Sequence, residues 1–539
     1  MSEHLVTVDD LRSLAQAASI PAFAYSLDGS SFMYEAPLGS ELHVGSIVTI
    51  DTDAGVLVGQ VESQRVEHRA SLTLELDDAQ RSSLGASGRS APQMRRIVGD
   101  GHLIGSHIDA SQLGPLSGSA FAESAVTPAP DSITHSVLGR ASRGAQLELG
   151  RLHGADASTR VRASAAGASR HTFVCGQSGS GKTFATGVLI EQLLLRTDVR
   201  IVVIDPNSDQ VGAGELLDFD QVNRTRSMPL SAQEYDAIAS RHQQLVEQGS
   251  INIASAPASA GSARACWNRM ALTVGDLGPS VIGAVLGIDP VADDEAWESL
   301  ANSLEAITRG TDANDVIEAL RTGTAHEQQI ARRLRALGID EWSLWAQGAP
   351  RTLEWFDRDD ARLLVYDIGS LGSETEAGAA TLTLLDHLWA TRAQRRPTII
   401  VVDEAHNVCP RTAHTELQRR QRQVMAAIAG EGRKFGLHLI VATQRPARVD
   451  EAVTSQCDNL MLMRMNSQVD VDELAQTFSH LPAGMIGAAR SFPKGTALMG
   501  GPLVSPPLLI GIEGRLTPEG GADVPLDWAV DPIAVSSAH

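Results

Sequence analysis

The stretch His171-Thr-Phe-Val-Cys-Gly-Gln-Ser-Gly-Ser-Gly-Lys-Thr183 decides the fold. Its apolar start, Thr172 to Cys175, predicts a buried strand, and the pattern GxxxxGKT from Gly176 to Thr183 predicts a glycine-rich loop running into a helix near Phe184. Such a loop binds phosphate for physical reasons. The backbone N–H groups of Gly176, Gln177, Ser178, Gly179, Ser180 and Gly181 can cradle phosphate oxygens, Lys182 can neutralise the β/γ end, and the Thr183 hydroxyl can ligate Mg2+. A nucleoside-triphosphate site follows, because strand, loop and helix stand in the order that this chemistry needs.

The complementary half lies more than two hundred residues on, in Thr398-Ile-Ile-Val-Val-Asp-Glu-Ala-His406. An apolar run of this kind predicts a buried parallel strand, whose C-terminal end faces the ligand crevice. Asp403 is then placed to hold the metal and Glu404 to activate the attacking water, as in other phosphoryl-transfer sites. Gln444 closes the run Leu437-His-Leu-Ile-Val-Ala-Thr-Gln444, read as the neighbouring strand, and its amide can bind both the water and a γ-phosphate oxygen.

Composition sets the outer limits. The chain has 539 residues, 43% hydrophobic and 20% charged, which is the balance of a globular protein of several domains. No apolar run approaches the ~18 residues of a membrane span. The start Met1-Ser-Glu-His-Leu shows no secretory pattern, and four cysteines without metal-ligand spacing point to a reduced, cytoplasmic setting. The net charge of −21 argues against a diffusely basic coat for nucleic acid and leaves room for a local one. Local basic clusters are Arg392, Arg395 and Arg396, and Arg419, Arg420 and Arg422.

Working outward, residues 1–19 predict a short helix or arm. From Phe23 to about Leu103 the pattern is strand-like: Ser46–Ile50, the turn Asp51–Gly55, Val56–Val61 and Ser71–Leu76 suggest a small β-barrel or sandwich. Ser82–Gln93 predicts a loop, and Pro115–Pro130 a linker. The core resumes around Gly150, with a second buried strand at Val199–Asp205. Residues 225–350 read as a mostly helical insertion whose tryptophans, Trp267, Trp297, Trp342 and Trp345, belong to its interior.

The sheet then returns at Ala361–Asp367, followed by helix Ala379–Arg392, the Asp403 strand, helix Glu416–Gly430, strands Leu437–Gln444 and Asn459–Met465, and helix Asp470–Phe478. Gly500-Gly501, Pro506–Gly511 and Gly520-Gly521 read as an extended terminal segment. This alternation predicts an α/β core with a mainly parallel sheet. The expected division is a barrel with its arm and linker over 1–130, core over 131–224, insertion over 225–350, core again over 351–515, and a tail over 516–539.

The ordered motifs resemble the HerA/FtsK superfamily of ring ATPases, in its HerA-like helicase branch. Gly45–Ile50 with Val56–Val61 is similar to the start of the family's HAS-barrel, Gly176–Thr183 to its Walker A loop, Val203–Pro206 to the strand after it, and Val401–His406 to its Walker B. Glu431–Gly436, Ala442–Pro446, Ser455–Cys457 and Met463-Arg464 with Asp470 continue in the family's order. Thr183 stands where Ser is frequent, and Asn207-Ser-Asp209 stands where His-Gly is common.

The resemblance implies a RecA-like P-loop core that hydrolyses ATP with Mg2+. It also implies a homohexamer around double-stranded DNA in a central pore, and a nuclease or defence effector seated on the barrel side. Lys182, Glu404 and Gln444 are the expected catalytic residues, with Thr183 and Asp403 at the metal. Arg433 and Arg464 are candidates for a charge supplied across the subunit interface, with Arg445 behind them; an intersubunit ion pair is the alternative for each. Arg411 and Arg419 to Arg422 could meet DNA phosphate or form a solvated face. Two other readings stay open. One is a ring that scaffolds an effector without processive movement, suggested by the acidic charge; the other is a P-loop kinase, which would need an acceptor pocket in 225–350.

Overall fold

The computed structural model describes residues 21–68, 95–109, 112–116, 118–139, 144–153, 159–256, 265–305 and 313–520. The arm expected over 1–19, the strand Ser71–Leu76, the loop Ser82–Gln93 and the tail beyond residue 520 lie outside them. The chain divides into two units. The first holds residues 1–201, 218–241 and 384–515, and the second 202–217, 242–383 and 516–539.

The first unit begins with antiparallel strands β1 (Phe23–Ser26), β2 (Ser31–Pro37), β3 (Ile47–Thr52), β4 (Gly55–His68), β5 (Arg95–Asp109), β6 (Gln112–Gly114) and β7 (Phe121–Pro128). They are ordered β2-β1-β7-β3-β4-β5-β6, and a further β2–β5 pairing closes a six-stranded barrel. The turn read at Asp51–Gly55 is a tight hairpin in which Thr52 faces Gly55, whose φ of 120° suits glycine. Alternation along β2 sends Phe32 and Tyr34 inward, where they pack with Ile50, Val61, Leu103 and Val126. The Phe32 ring fills the space over Gly59 and Gly101: a Cβ would lie 2.6 Å from it at the first and 2.4 Å at the second.

Residues 121–128, expected to be linker, are instead β7, paired with both β1 and β3. Only Ser124 and Val126 of this strand are buried, so small and polar residues conceal its alternation. Helix Asp131–Gly139 then covers Ile47 and Val58 with Ile133 and Val137.

The remaining strands of the first unit are β8 (Gln146–Leu152), β9 (Arg160–Ser164) and β10 (Thr172–Cys175), and, after those of the second unit, five more. The second unit takes most of β11 (Arg200–Ile204), with β12 (Ile251–Ser255), β13 (Trp267–Arg269) and β14 (Leu363–Tyr366). The first unit resumes with β15 (Thr398–Val402), β16 (Leu437–Thr443), β17 (Asn459–Leu462), β18 (Thr496–Gly501) and β19 (Val504–Ile512).

Within the first unit the order is β15-β16-β10-β17-β18-β19-β8-β9. β15, β16, β10 and β17 are parallel, and the ladders from β17 through β18, β19, β8 and β9 are antiparallel. All residues of β10, β15 and β17 are buried, which explains their unbroken apolar sequences. Residues 496–512, read as an extended tail, are two ladder strands, because glycine and proline hide a β-pattern that pairing enforces.

In the second unit β12 lies parallel between β13 and β14. Residues 225–350 therefore carry sheet strands as well as helices, and the short run Ile251-Asn-Ile-Ala-Ser was too brief to announce itself. Trp342 and Trp345 stack at 5.9 Å in the interior of this unit, whereas Trp267 lies on β13, half-buried.

Candidate nucleotide site

β10 is flanked by β16 and β17, with Cys175 level with Thr443 on one side and Leu462 on the other. The chain leaves β10 at the C-terminal edge of the parallel strands and turns through Gly179 (φ 73°) and Gly181 (φ 101°), conformations that side chains resist. The helix starts at Lys182, two residues before the expected Phe184, with Gly181 as its N-cap. Its free N-terminal amides and dipole face the loop. Two polar atoms of this loop, Gln177 Oε1 and Ser180 Oγ, are buried without a hydrogen-bond partner.

The acids of the second motif arrive where the strand order demands. β15 and β16 are adjacent, so Asp403 and Glu404 emerge beside Gln444. Lys182 Nζ contacts Asp403 Oδ1 and lies 3.4 Å from Glu404 Oε1, all three side chains being buried. Gln444 Nε2 donates to Glu404 Oε1 at 2.7 Å, and its backbone N–H reaches Oε2 at 3.4 Å. His406 Nδ1 lies 3.3 Å from Glu404 Oε2 and 3.1 Å from Thr443 Oγ1. Glu404 itself adopts φ 44° and ψ 47°, a left-handed conformation that costs a non-glycine residue on the order of 1–3 kcal/mol.

Charge balance in this cluster is clear in direction. Burial works against ionised Glu404, but His406, the Lys182 ammonium and the Gln444 amide together hold its carboxyl down to about 2. Burial likewise disfavours the Lys182 ammonium, and Asp403 and Glu404 outweigh it, so the lysine titrates above its ordinary value. The arrangement keeps a lysine charged and a carboxylate ionised side by side.

The other candidate arginines divide between the two edges of the sheet. Arg433 precedes β16 and donates to Asp458 Oδ2 at 3.5 Å; Arg170, which precedes β10, reaches the same oxygen at 3.3 Å. Both therefore lie at the N-terminal edge, away from their own chain's P-loop. Arg464 follows β17 at the opposite edge, where its carbonyl accepts the Gln177 N–H at 2.9 Å. Arg445 donates its backbone N–H to Thr443 Oγ1. Arg411 pairs with Glu473 at 2.9 Å, Arg419 with Glu416 at 2.7 Å and Arg422 with Asp450 at 3.4 Å.

Two family profiles cover this region: "Helicase HerA, central domain" over residues 147–336, and "ATPase family associated with various cellular activities (AAA)" over 361–465. A probable helicase of Methanocaldococcus jannaschii is 28% identical over 131 residues, which are 24% of this chain and 25% of that one. A protein named DNA double-strand break repair helicase HerA, from Sulfolobus acidocaldarius, is 32% identical over 124 residues, 22% of this chain and 24% of its own. The chain belongs to the HerA/FtsK superfamily of P-loop ATPases. The alignments span about a quarter of each of these two relatives. Among solved structures, VirB4 of Thermoanaerobacter pseudethanolicus has a TM-score of 0.42 at 14% identity, over 69% of this chain and 97% of that one.

The donor set of this HerA/FtsK-type site fits a nucleoside triphosphate with a divalent cation. It offers a left-handed glycine loop at a helix N-terminus, an ammonium, the Thr183 hydroxyl, the Asp403 carboxylate and a buried serine oxygen in need of a partner. Three further residues were not singled out from sequence. His406 completes the grip on Glu404, and its place two residues beyond the acid was the available signal. Asp458 gathers Arg170 and Arg433, a convergence visible only once β10, β16 and β17 are aligned. Arg515 lies against Gly187 of the P-loop helix, 3.6 Å from Glu191 Oε1, and donates to the Thr183 carbonyl at 3.2 Å.

Proposed function

We propose that this protein is an ATP-driven motor that assembles as a homohexamer and moves along double-stranded DNA held in a central pore. The observation that supports the reading most is the buried contact of Lys182 with Asp403 and Glu404, completed by Gln444 at the mouth of the P-loop. Mg2+ supplies charge neutralisation for the transferring phosphoryl group when bound. Thr183 and Asp403 are the residues to hold it. Lys182 stabilises the charge that shifts during transfer, Glu404 takes the proton of the attacking water, and Gln444 orients that water.

Arg433 is assigned to the neighbouring protomer's site. Its place at the edge opposite its own P-loop agrees with a charge delivered across an interface. The names of the relatives, DNA double-strand break repair helicase HerA, support a DNA substrate. A nuclease or defence effector as partner and the cytoplasm as setting belong to the proposal alone. The arginines at 411, 419 and 422 are paired with acids, so phosphate contact falls to other groups.

The test is an ATPase measurement with and without long duplex DNA, alongside molecular mass by light scattering. Stimulation by duplex and a mass near six chains is the expected result; a monomer silent under every DNA condition would remove the proposal. A second reading, a nucleotide-controlled ring that scaffolds a basic effector with little movement, is favoured by the net charge of −21. An effector that still needs the ring but not hydrolysis would select it.

A further inference from the structure

Arg464 stands out among the cations near the P-loop because its buried Nε finds no hydrogen-bond partner among the described residues. Its side chain is half-buried, Nε is shut off from solvent without a hydrogen-bond partner, and no ion pair engages it among the described residues. Its backbone is nonetheless fixed. The carbonyl holds the Gln177 N–H, and the preceding Met463 packs where a Cβ on Gly176 or Gly181 would sit, at 2.8 and 3.3 Å. Residues 463 and 464 thus wall the phosphate loop of their own chain. A guanidinium carries five N–H donors in a fixed fork and stays charged at any physiological pH, so one left without acceptors beside a phosphate loop is suited to an anion.

The strand order narrows which part of the anion it meets. Glu404 and Gln444 follow β15 and β16, which lie on one side of β10; Arg464 follows β17, on the other. With strands ~4.8 Å apart, the group that activates water and Arg464 approach a ligand from opposite flanks. We propose that Arg464 binds the nucleotide in cis, at the α/β-phosphate and ribose end, and that it serves affinity rather than the γ-phosphate chemistry. The proposal rests on the nucleotide reading of the P-loop, and it separates Arg464 from the trans role given to Arg433.

The test titrates ADP and ATP against the full-length protein, its R464A and R464K variants and the parent, with steady-state ATP hydrolysis in parallel. R464A is expected to weaken ADP and ATP equally, by about 10- to 100-fold, the worth of one charge-assisted hydrogen bond. KM for ATP should rise alongside with little change in kcat, and R464K should recover part of the loss. Mixed with Lys182→Ala protomers, R464A protomers should show no site of parental affinity.

Unchanged ADP affinity with a fallen kcat would overturn the assignment, as would recovery of tight sites in the mixture. A melting temperature of R464A close to the parent's, measured without nucleotide, shows that the loss is not one of folding; if R464A does not fold, R464K carries the same comparison. A parent that binds neither nucleotide would instead overturn the P-loop reading itself.

Discussion

Glu404 joins three unfavourable circumstances: a left-handed backbone, burial, and a full negative charge. A carboxylate kept ionised in this way is a weak base at rest, so it accepts a hydrogen bond from the attacking water and takes the proton only as bond formation to phosphorus makes that water acidic. The substitution E404Q isolates that role because the amide keeps the size of the side chain. Nucleotide binding and assembly are expected to persist while turnover falls at least about tenfold, the lower range for loss of a general base. Steady-state hydrolysis beside a binding assay separates these, and turnover at the parent rate would free Glu404 of the assignment. Lys182→Ala should act differently, even without nucleotide. It leaves Asp403 and Glu404 buried together with no cation, a situation that costs about 3–5 kcal/mol and should lower the melting temperature of the nucleotide-free protein.

The pH sign follows from the depressed carboxyl. Glu404 contributes its full stabilisation above its ordinary value of 4.5 and loses it as pH falls toward about 2, so E404Q should flatten part of the acid limb of a stability profile. These roles were legible because GxxxxGKT and Asp403-Glu404 are contiguous in sequence. The partnership of Arg170 with Asp458 was not, since its members stand 288 positions apart.

At the scale of elements, the parallel strands β15, β16, β10 and β17 carry a charged cluster at each edge. Their C-terminal ends carry Lys182, Glu404 and Gln444, and their N-terminal ends carry Arg170, Arg433 and Asp458. Arg433→Ala protomers are expected to bind ATP nearly normally and hydrolyse it poorly. Mixing them with Lys182→Ala protomers should restore some activity where an intact Lys182 faces an intact Arg433; verified mixing without recovery would place Arg433 outside the neighbour's site. In the barrel, Gly101→Val is expected to cost about 1–3 kcal/mol by overpacking, because Phe32 and the Gln60 carbonyl occupy the required space. An unchanged denaturation midpoint would mean that Phe32 swings aside.

Element by element, the sequence announced strands that are fully buried, such as β10 and β15, through their unbroken apolar runs. It concealed β7, whose residues are mostly small or polar, and β18 and β19, whose apolar residues are interrupted by Gly500-Gly501 and Pro506-Pro507. It also concealed β12, five residues long and broken by Asn252 in the middle of its apolar run.

The whole chain carries a charge of −21, so the proposed attraction to duplex DNA would have to come from a local field. Two salt responses should therefore oppose each other. Duplex affinity should fall as salt rises, with a logarithmic slope of about −0.9 per phosphate neutralised, while the melting temperature of the free protein should climb from low to moderate salt as self-repulsion is screened. Duplex affinity indifferent to salt would argue that phosphate is not what the protein holds. Neither response follows from the motifs, because net charge and the folded placement of arginines such as Arg411 and Arg422 point in different directions.

The carboxamide of Gln60, fully buried, donates to the Gly45 carbonyl inside the barrel and to the Pro507 carbonyl on β19 at 2.7 Å. β19 is laddered to β18, β18 to β17, and the segment after β17 is bonded to the P-loop at Gln177. Read as mechanics, this is a load path of hydrogen bonds from the phosphate loop to the barrel, with no slack segment along it. Such a coupling mounts the barrel directly on the sheet rather than on a tether, with Gln60 as a polar fastening beside the close packing of Gly45 on Leu509 and of Gly484 on Glu62.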